Sequence, residues 1–153
     1  MEKEALHRTM DNPKKKQIPI VQGVFSWPSA EPQLIGSKCK TCNTVSFPKN
    51  PFCRNPKCKN KADVEETLLS RRGKLMSFTL VCYPPPPPFV ASKPFVPFPV
   101  GEVQFPEGIA VIGQLVGSKY ENLKIGMNVE TIVDKLFEDE KGNEVVGWKF
   151  RTI

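Results

Sequence analysis

Four of the five cysteines lie between Cys39 and Cys58, in the stretch CKTCNTVSFPKNPFCRNPKC. Cys39 and Cys42 are spaced C-x2-C, and Cys53 and Cys58 are spaced C-x4-C, with ten residues between the pairs. Both spacings suit a structural zinc site, because a short turn can aim two sulfurs at one ion. Asn43 follows the first pair, where the chain must turn, and asparagine is among the few types that accept a left-handed backbone. Asn55-Pro56 supplies turn chemistry within the second pair. Disulfides and unrelated buried thiols are the competing readings. An odd cysteine total and an N-terminus, MEKEALHRTM, without the apolar centre of a secretion signal both speak for metal. A site of four thiolates leaves no open coordination position, so the expected Zn2+ is structural and not catalytic.

The elements that hold these cysteines are expected to be short. Residues 34–70 read as a rubredoxin-like zinc ribbon, with strands near Leu34–Ser37, Thr44–Phe47 and Val64–Leu69. So small a unit cannot bury a sufficient core and uses the ion as a staple. Residues 1–33 read as an N-terminal extension, a helical or extended arm, with a short helix in its first ten residues and the run Lys14-Lys15-Lys16. Phe25 and Trp27 in this extension are expected to pack either on the folded body or on a partner protein.

From Lys74 the pattern turns to β. Residues 71–153 are expected to form a five-stranded OB-fold barrel. In KLMSFTLVCY the residues Met76, Phe78, Leu80 and Cys82 alternate and predict one apolar face, with Cys82 a core residue. Further strands are predicted over Pro99–Phe105, Ile109–Gly117, Met127–Leu136 and Val145–Arg151. A helical turn at Ser118–Gly126 and a hairpin with Lys141-Gly142-Asn143 at its tip separate the later ones. The connection between the first two barrel strands, PPPPPFVASKPFVPFP, holds eight of the sixteen prolines. Five successive prolines predict a stiff extended segment of about 15 Å. Phe89 and Phe95 on this arm are candidates for contact with a partner, the alternative being an arm folded back over the barrel mouth.

The formal charge of +6 asks for an anionic partner or surface. A zinc ion on four thiolates carries −2 and lowers the total to about +4. Lys38, Lys40, Arg54, Lys57 and Lys59 crowd the cysteines, and part of that charge offsets the metal site. Catalysis by this chain alone is not expected. His7 is the single histidine, no glycine-rich phosphate loop is present, and no carboxylate pair is placed for acid–base work. No apolar run is long enough to span a bilayer, and a cytoplasmic location, where thiols stay reduced, is expected.

The ordered set LIGSKCKTC, Phe47-Pro48, GKLMSFTLV, the proline arm, VGEVQFPEGIAVIGQLVG, LKIGMNVE and WKFR resembles one family over roughly Gln33–Ile153. These are the small zinc-ribbon/OB-fold proteins associated with acyl-CoA enzymes, long filed as a domain of unknown function. Within it, the sequence is most similar to small subunits of thiolases of anaerobic aromatic degradation, of the benzoylsuccinyl-CoA thiolase kind. The resemblance implies a thiolase-like catalytic partner that supplies the nucleophile and bases, while this chain is an accessory subunit that helps enclose a CoA thioester. Lys38, Lys40 and Arg54 are then candidates for the CoA phosphates. The C-x4-C pair departs from the family's more frequent C-x2-C. The competing reading from another class is a single-stranded nucleic-acid-binding protein, since a zinc ribbon beside an OB barrel on a basic chain also serves that purpose.

Overall fold

A computed structural model describes residues 16–153. The expected N-terminal helix, with Lys14 and Lys15, lies outside the described residues. The described chain forms β1 (Gln17–Pro19), β2 (Ile35–Cys39), β3 (Val45–Ser46), β4 (Val64–Leu68), β5 (Arg72–Val81), β6 (Phe98–Gln104), β7 (Ala110–Val116), β8 (Asn128–Glu138) and β9 (Glu144–Thr152). A 3-10 turn, Tyr120–Asn122, precedes β8. No helix among the described residues is long and apolar enough to cross a membrane.

Two sheets result. The ribbon sheet has the order β3-β2-β4. In the larger sheet β5, β6 and β7 pair antiparallel in sequence, β7 pairs parallel with β9, and β8 pairs antiparallel with both β9 and β5. That circuit closes a five-stranded barrel, as expected for an OB fold, and removes the free edges of a short sheet. β1 is an addition that the sequence reading did not anticipate. It pairs parallel with the first half of β9, while β7 occupies the second half. Pro19 is tolerated because β1 lies at the edge of the sheet.

The barrel is filled by Leu75, Val103, Phe105, Val111, Leu115, Val129 and Phe150. Burial of each such side chain contributes about 1.5–3 kcal/mol. Val24, Phe25, Leu34 and Leu69 from the extension and the ribbon belong to the same cluster, so the two sheets share one core. A backbone hydrogen bond from Ile35 N to Val24 O (2.7 Å) and the bridge between Phe25 and Leu34 cross the boundary expected after residue 33. Close packing also dictates one glycine. A Cβ on Gly113 would lie 2.7 Å from Phe150 Cε2, so only glycine lets β7 approach β9's core ring.

The apolar face expected on the first barrel strand is corrected. The register of β5 against β6 shifts between Leu75 and Ser77, a β-bulge that changes which residues point inward. Leu75 is buried, Met76 is exposed, and Phe78 packs against the core. Cys82, expected in the core, is exposed just beyond the strand's end.

Candidate metal centre and its surroundings

The first cysteine turn is closed by backbone hydrogen bonds from Asn43 N to Cys39 O (2.8 Å) and from Cys39 N to Thr44 O (2.9 Å). Asn43 adopts φ 62°, the left-handed conformation its type permits. The second turn is held by Cys53 N to Lys61 O (2.8 Å) and Cys58 N to Asn55 O (3.1 Å). The Asn55 side-chain oxygen accepts from Lys57 N at 3.0 Å. This asparagine turn takes up the two extra residues of the C-x4-C spacing.

Together the turns bring the four sulfurs within 4.8 Å of one another. Cys39 Sγ lies 3.7 Å from Cys58 Sγ, and Cys42 Sγ lies 3.5 Å from Cys53 Sγ. Tetrahedral zinc with bonds near 2.3 Å requires sulfurs about 3.8 Å apart, so the residues fit the ion. Cys39, Cys53 and Cys58 are buried and Cys42 is half-buried, which makes it the ligand nearest solvent. Contacts with the Thr44 hydroxyl and backbone hold the Cys42 thiol down to about 6. For Cys58, a backbone hydrogen bond from Asn60 acts downward, but burial and the neighbouring thiols outweigh it and push the value to about 12. The metal-free set therefore does not ionise together, and zinc supplies the positive charge that deprotonates it. The centre is structural. It fixes the ribbon and offers no vacant position for a substrate.

The other residues singled out in the sequence take separate places. Phe25 is 6% exposed, pairs with Leu34, and sets its ring edge-on to Trp148 at 6.4 Å. Of its two expected roles it fills the one on the folded body. Trp27 is partly buried against the same core. Phe47 meets Trp148 from the ribbon side at 5.6 Å, so this tryptophan is the hinge-point of extension, ribbon and barrel. Lys38 lies on β2 opposite both Val45 and Glu65. Lys40 forms an exposed ion pair with Glu65 at 4.0 Å. Arg54 lines a cleft between ribbon and barrel.

The proline arm is not a straight rod. It turns at Pro87-Pro88, where Phe89 N donates to Pro86 O at 3.3 Å. It then folds back on the barrel. Phe89 packs 6.2 Å from Phe98 and 5.4 Å from Phe137 of β8, and Phe95 lies 6.1 Å from Phe98. These rings anchor the arm and leave other side chains outward: Tyr83 is 82% exposed, Val96 65% and Val90 51%. Those three were missed in the sequence, where the phenylalanines drew attention by size.

Glu107 was missed as well. It accepts hydrogen bonds from Ser70 N (2.6 Å) and Ser70 Oγ (2.7 Å) and pins the ribbon's exit to the β6–β7 turn. The signal available was the Pro106-Glu107-Gly108 turn, in which the acidic residue sits between two turn formers.

Comparison with known proteins agrees with this two-part construction. Residues 27–65 match the family model described as "ChsH2, rubredoxin-like zinc ribbon domain". Residues 66–133 match "ChsH2, C-terminal OB-fold domain". A DUF35 domain-containing scaffold protein of Methanocaldococcus jannaschii is 37% identical, over 78% of this chain and 82% of its own length. The benzoylsuccinyl-CoA thiolase subunit BbsA of Thauera aromatica is 31% identical, over 80% of this chain and 78% of its own. Among solved structures, an Ltp2-ChsH2(DUF35) aldolase chain superposes with a TM-score of 0.60 at 26% identity, covering 78% of this chain and 84% of that one. This chain belongs to the DUF35 family of ChsH2-type proteins, in which a rubredoxin-like zinc ribbon is joined to an OB-fold domain.

Proposed function

We propose that this chain is a non-catalytic, zinc-binding accessory subunit of a thiolase-type acyl-CoA acyltransferase in the cytoplasm. It supports assembly of the complex and the partner's CoA-thioester site. The observation that carries the proposal is the folded-back proline arm. Rings that anchor it from beneath hold Tyr83, Val90 and Val96 outward as a pre-formed apolar surface. A surface of that kind fits a protein partner, because pre-ordering lowers the entropy lost on docking. The closed thiolate site agrees with a subunit that braces a catalytic partner. The relative from Thauera is named as a subunit of a CoA thiolase, and the solved structure as an aldolase that joins ChsH2 to Ltp2, which supports an enzyme partner of the thiolase kind. The narrower assignment, to aromatic acyl-CoA thioesters in anaerobic degradation, rests on the Thauera relative.

The test is Tyr83→Asp combined with Val96→Asp in the complex isolated from native extract. Both side chains are exposed, so the fold should change by no more than about 0.5 kcal/mol. Retention of the enzyme partner should drop by at least about 10-fold. Unchanged retention with a folded double variant would remove the arm as the docking surface.

A further inference from the structure

A cleft of about 440 Å³ between ribbon and barrel is used by neither the metal site nor the arm. Val45 and Phe47 line it from the ribbon, Ile109 and Ala110 from the barrel, and Arg54 and Asn55 from the second cysteine turn. Its ribbon wall is β3, an edge strand whose one described neighbour is β2. The bond from Cys39 N to Thr44 O makes those two residues a hydrogen-bonded pair of the ladder. One step along, Val45 faces Lys38 in the non-hydrogen-bonded position, so its N–H and C=O point away from β2. An open edge of this kind is a template for another extended chain.

The charge on and around the second cysteine turn, which supplies Arg54 to the cleft, is one-signed. Arg54, Lys57, Lys59 and Lys61 are all exposed, and no described acidic side chain forms an ion pair with any of them. Lys40 and Lys49, by contrast, have Glu65 and Glu66. No Asp or Glu occurs from residue 32 to residue 62. The −2 of a zinc–thiolate centre offsets only half of the four cations.

We propose that this cleft binds an extended acidic peptide segment of another protein. The segment adds as a strand beside β3 and exchanges hydrogen bonds with Val45. Its side chains alternate, so acidic residues reach Arg54 and Lys57 while apolar ones meet Phe47, Ile109 and Ala110. A phosphate or a nucleic acid would use the cations but neither the main-chain edge nor the apolar wall. The inference stands apart from the accessory-subunit reading, since its test uses the isolated chain.

The experiment takes the full-length zinc-loaded protein and a fluorescent alternating Glu-Val peptide of about ten residues. Binding is read by anisotropy, and the backbone amide of Val45 is followed by NMR. Saturable binding is expected, with a shift of the Val45 amide and weakening as salt rises from about 50 to 300 mM. A copy N-methylated on its pairing edge should bind about 10-fold more weakly, and a Lys-Val copy should not bind. Arg54→Glu with Lys57→Glu, checked for full zinc content, should lose about 10-fold in affinity. The N-methylated copy and the salt series need no variant, so a misfolded variant leaves the test intact. The proposal is overturned if the wild type binds no Glu-Val peptide. Equal binding of the N-methylated copy, or preferential binding of oligothymidylate that displaces the peptide, overturns it as well.

Discussion

Replacing Phe25 by alanine tests whether extension, ribbon and barrel are one cooperative unit. The ring is 6% exposed and touches Leu34 through a β-bridge and Trp148 through an edge-on contact. Leu34 adjoins β2 and Trp148 is part of β9, so both neighbours are held by hydrogen-bonded backbone and the space left behind cannot collapse cheaply. Phe→Ala substitutions at such sites cost about 3–5 kcal/mol. For a chain of this length each kcal/mol lowers Tm by roughly 2–4 °C, so a fall of about 6–20 °C is expected. Differential scanning calorimetry of the zinc-loaded protein should show one transition, moved as a whole. A shift under about 2 °C would refute the burial argument. Two resolved transitions, with only one displaced, would refute the shared core.

Three further perturbations probe other parts of the account. Cys58→Ser removes one buried thiolate; zinc measured by elemental mass spectrometry should fall below one per chain, and barrel Tm should fall with it because Leu34 and Leu69 belong to the common core. A full zinc complement would contradict the ligand set. Gly101→Ala places a Cβ 2.5 Å from Leu75 Cδ1 and 2.8 Å from Leu115 Cδ1, and should cost about 1–3 kcal/mol in urea denaturation. No change would show that the barrel interior is looser than described. The hydrogen bond and charge of Arg151, with Arg71 and Arg72 nearby, hold the Glu130 carboxyl below its ordinary 4.5. A depressed folded value stabilises above the unfolded value and is lost as pH falls through the folded one. Wild type should thus lose more stability than Glu130→Gln on acidification below about pH 4.5. Parallel pH curves would remove Glu130 from the account.

Much of this molecule could be read from residue spacing. Cysteine intervals located the metal centre, and Asn43 and Asn55 announced the turns that aim the sulfurs, because both effects are local. The five barrel strands were legible from their apolar patterning and the turns between them, and the helical turn at Ser118–Gly126 fitted an OB barrel. Three features were not. The bulge at Met76 inverts the inward face in mid-strand, and a period of two carries no mark of it, so alternation wrongly sets Met76 beside Phe78 and Leu80 on the core face; Cys82 keeps their parity but lies one residue past the strand's end. β1 is three residues long and pairs with a strand more than a hundred residues away, so nothing local distinguishes it from an extension. Five prolines in a row suggested a rod, but the turn at Pro87-Pro88 is fixed by tertiary contacts of Phe89 with Phe98 and Phe137.

The proposed role as a subunit stands or falls on what accompanies the chain in its own cell. A tagged copy should be recovered from native extract at moderate salt, with one half of the sample treated with nuclease. The partner is then identified by mass and the eluate checked for absorbance at about 260 nm. An acyl-CoA enzyme of thiolase type, in near-stoichiometric amount and undiminished by nuclease, is the predicted result. Nucleic acid without an enzyme would contradict it and return the zinc ribbon and the OB barrel to the single-strand-binding reading.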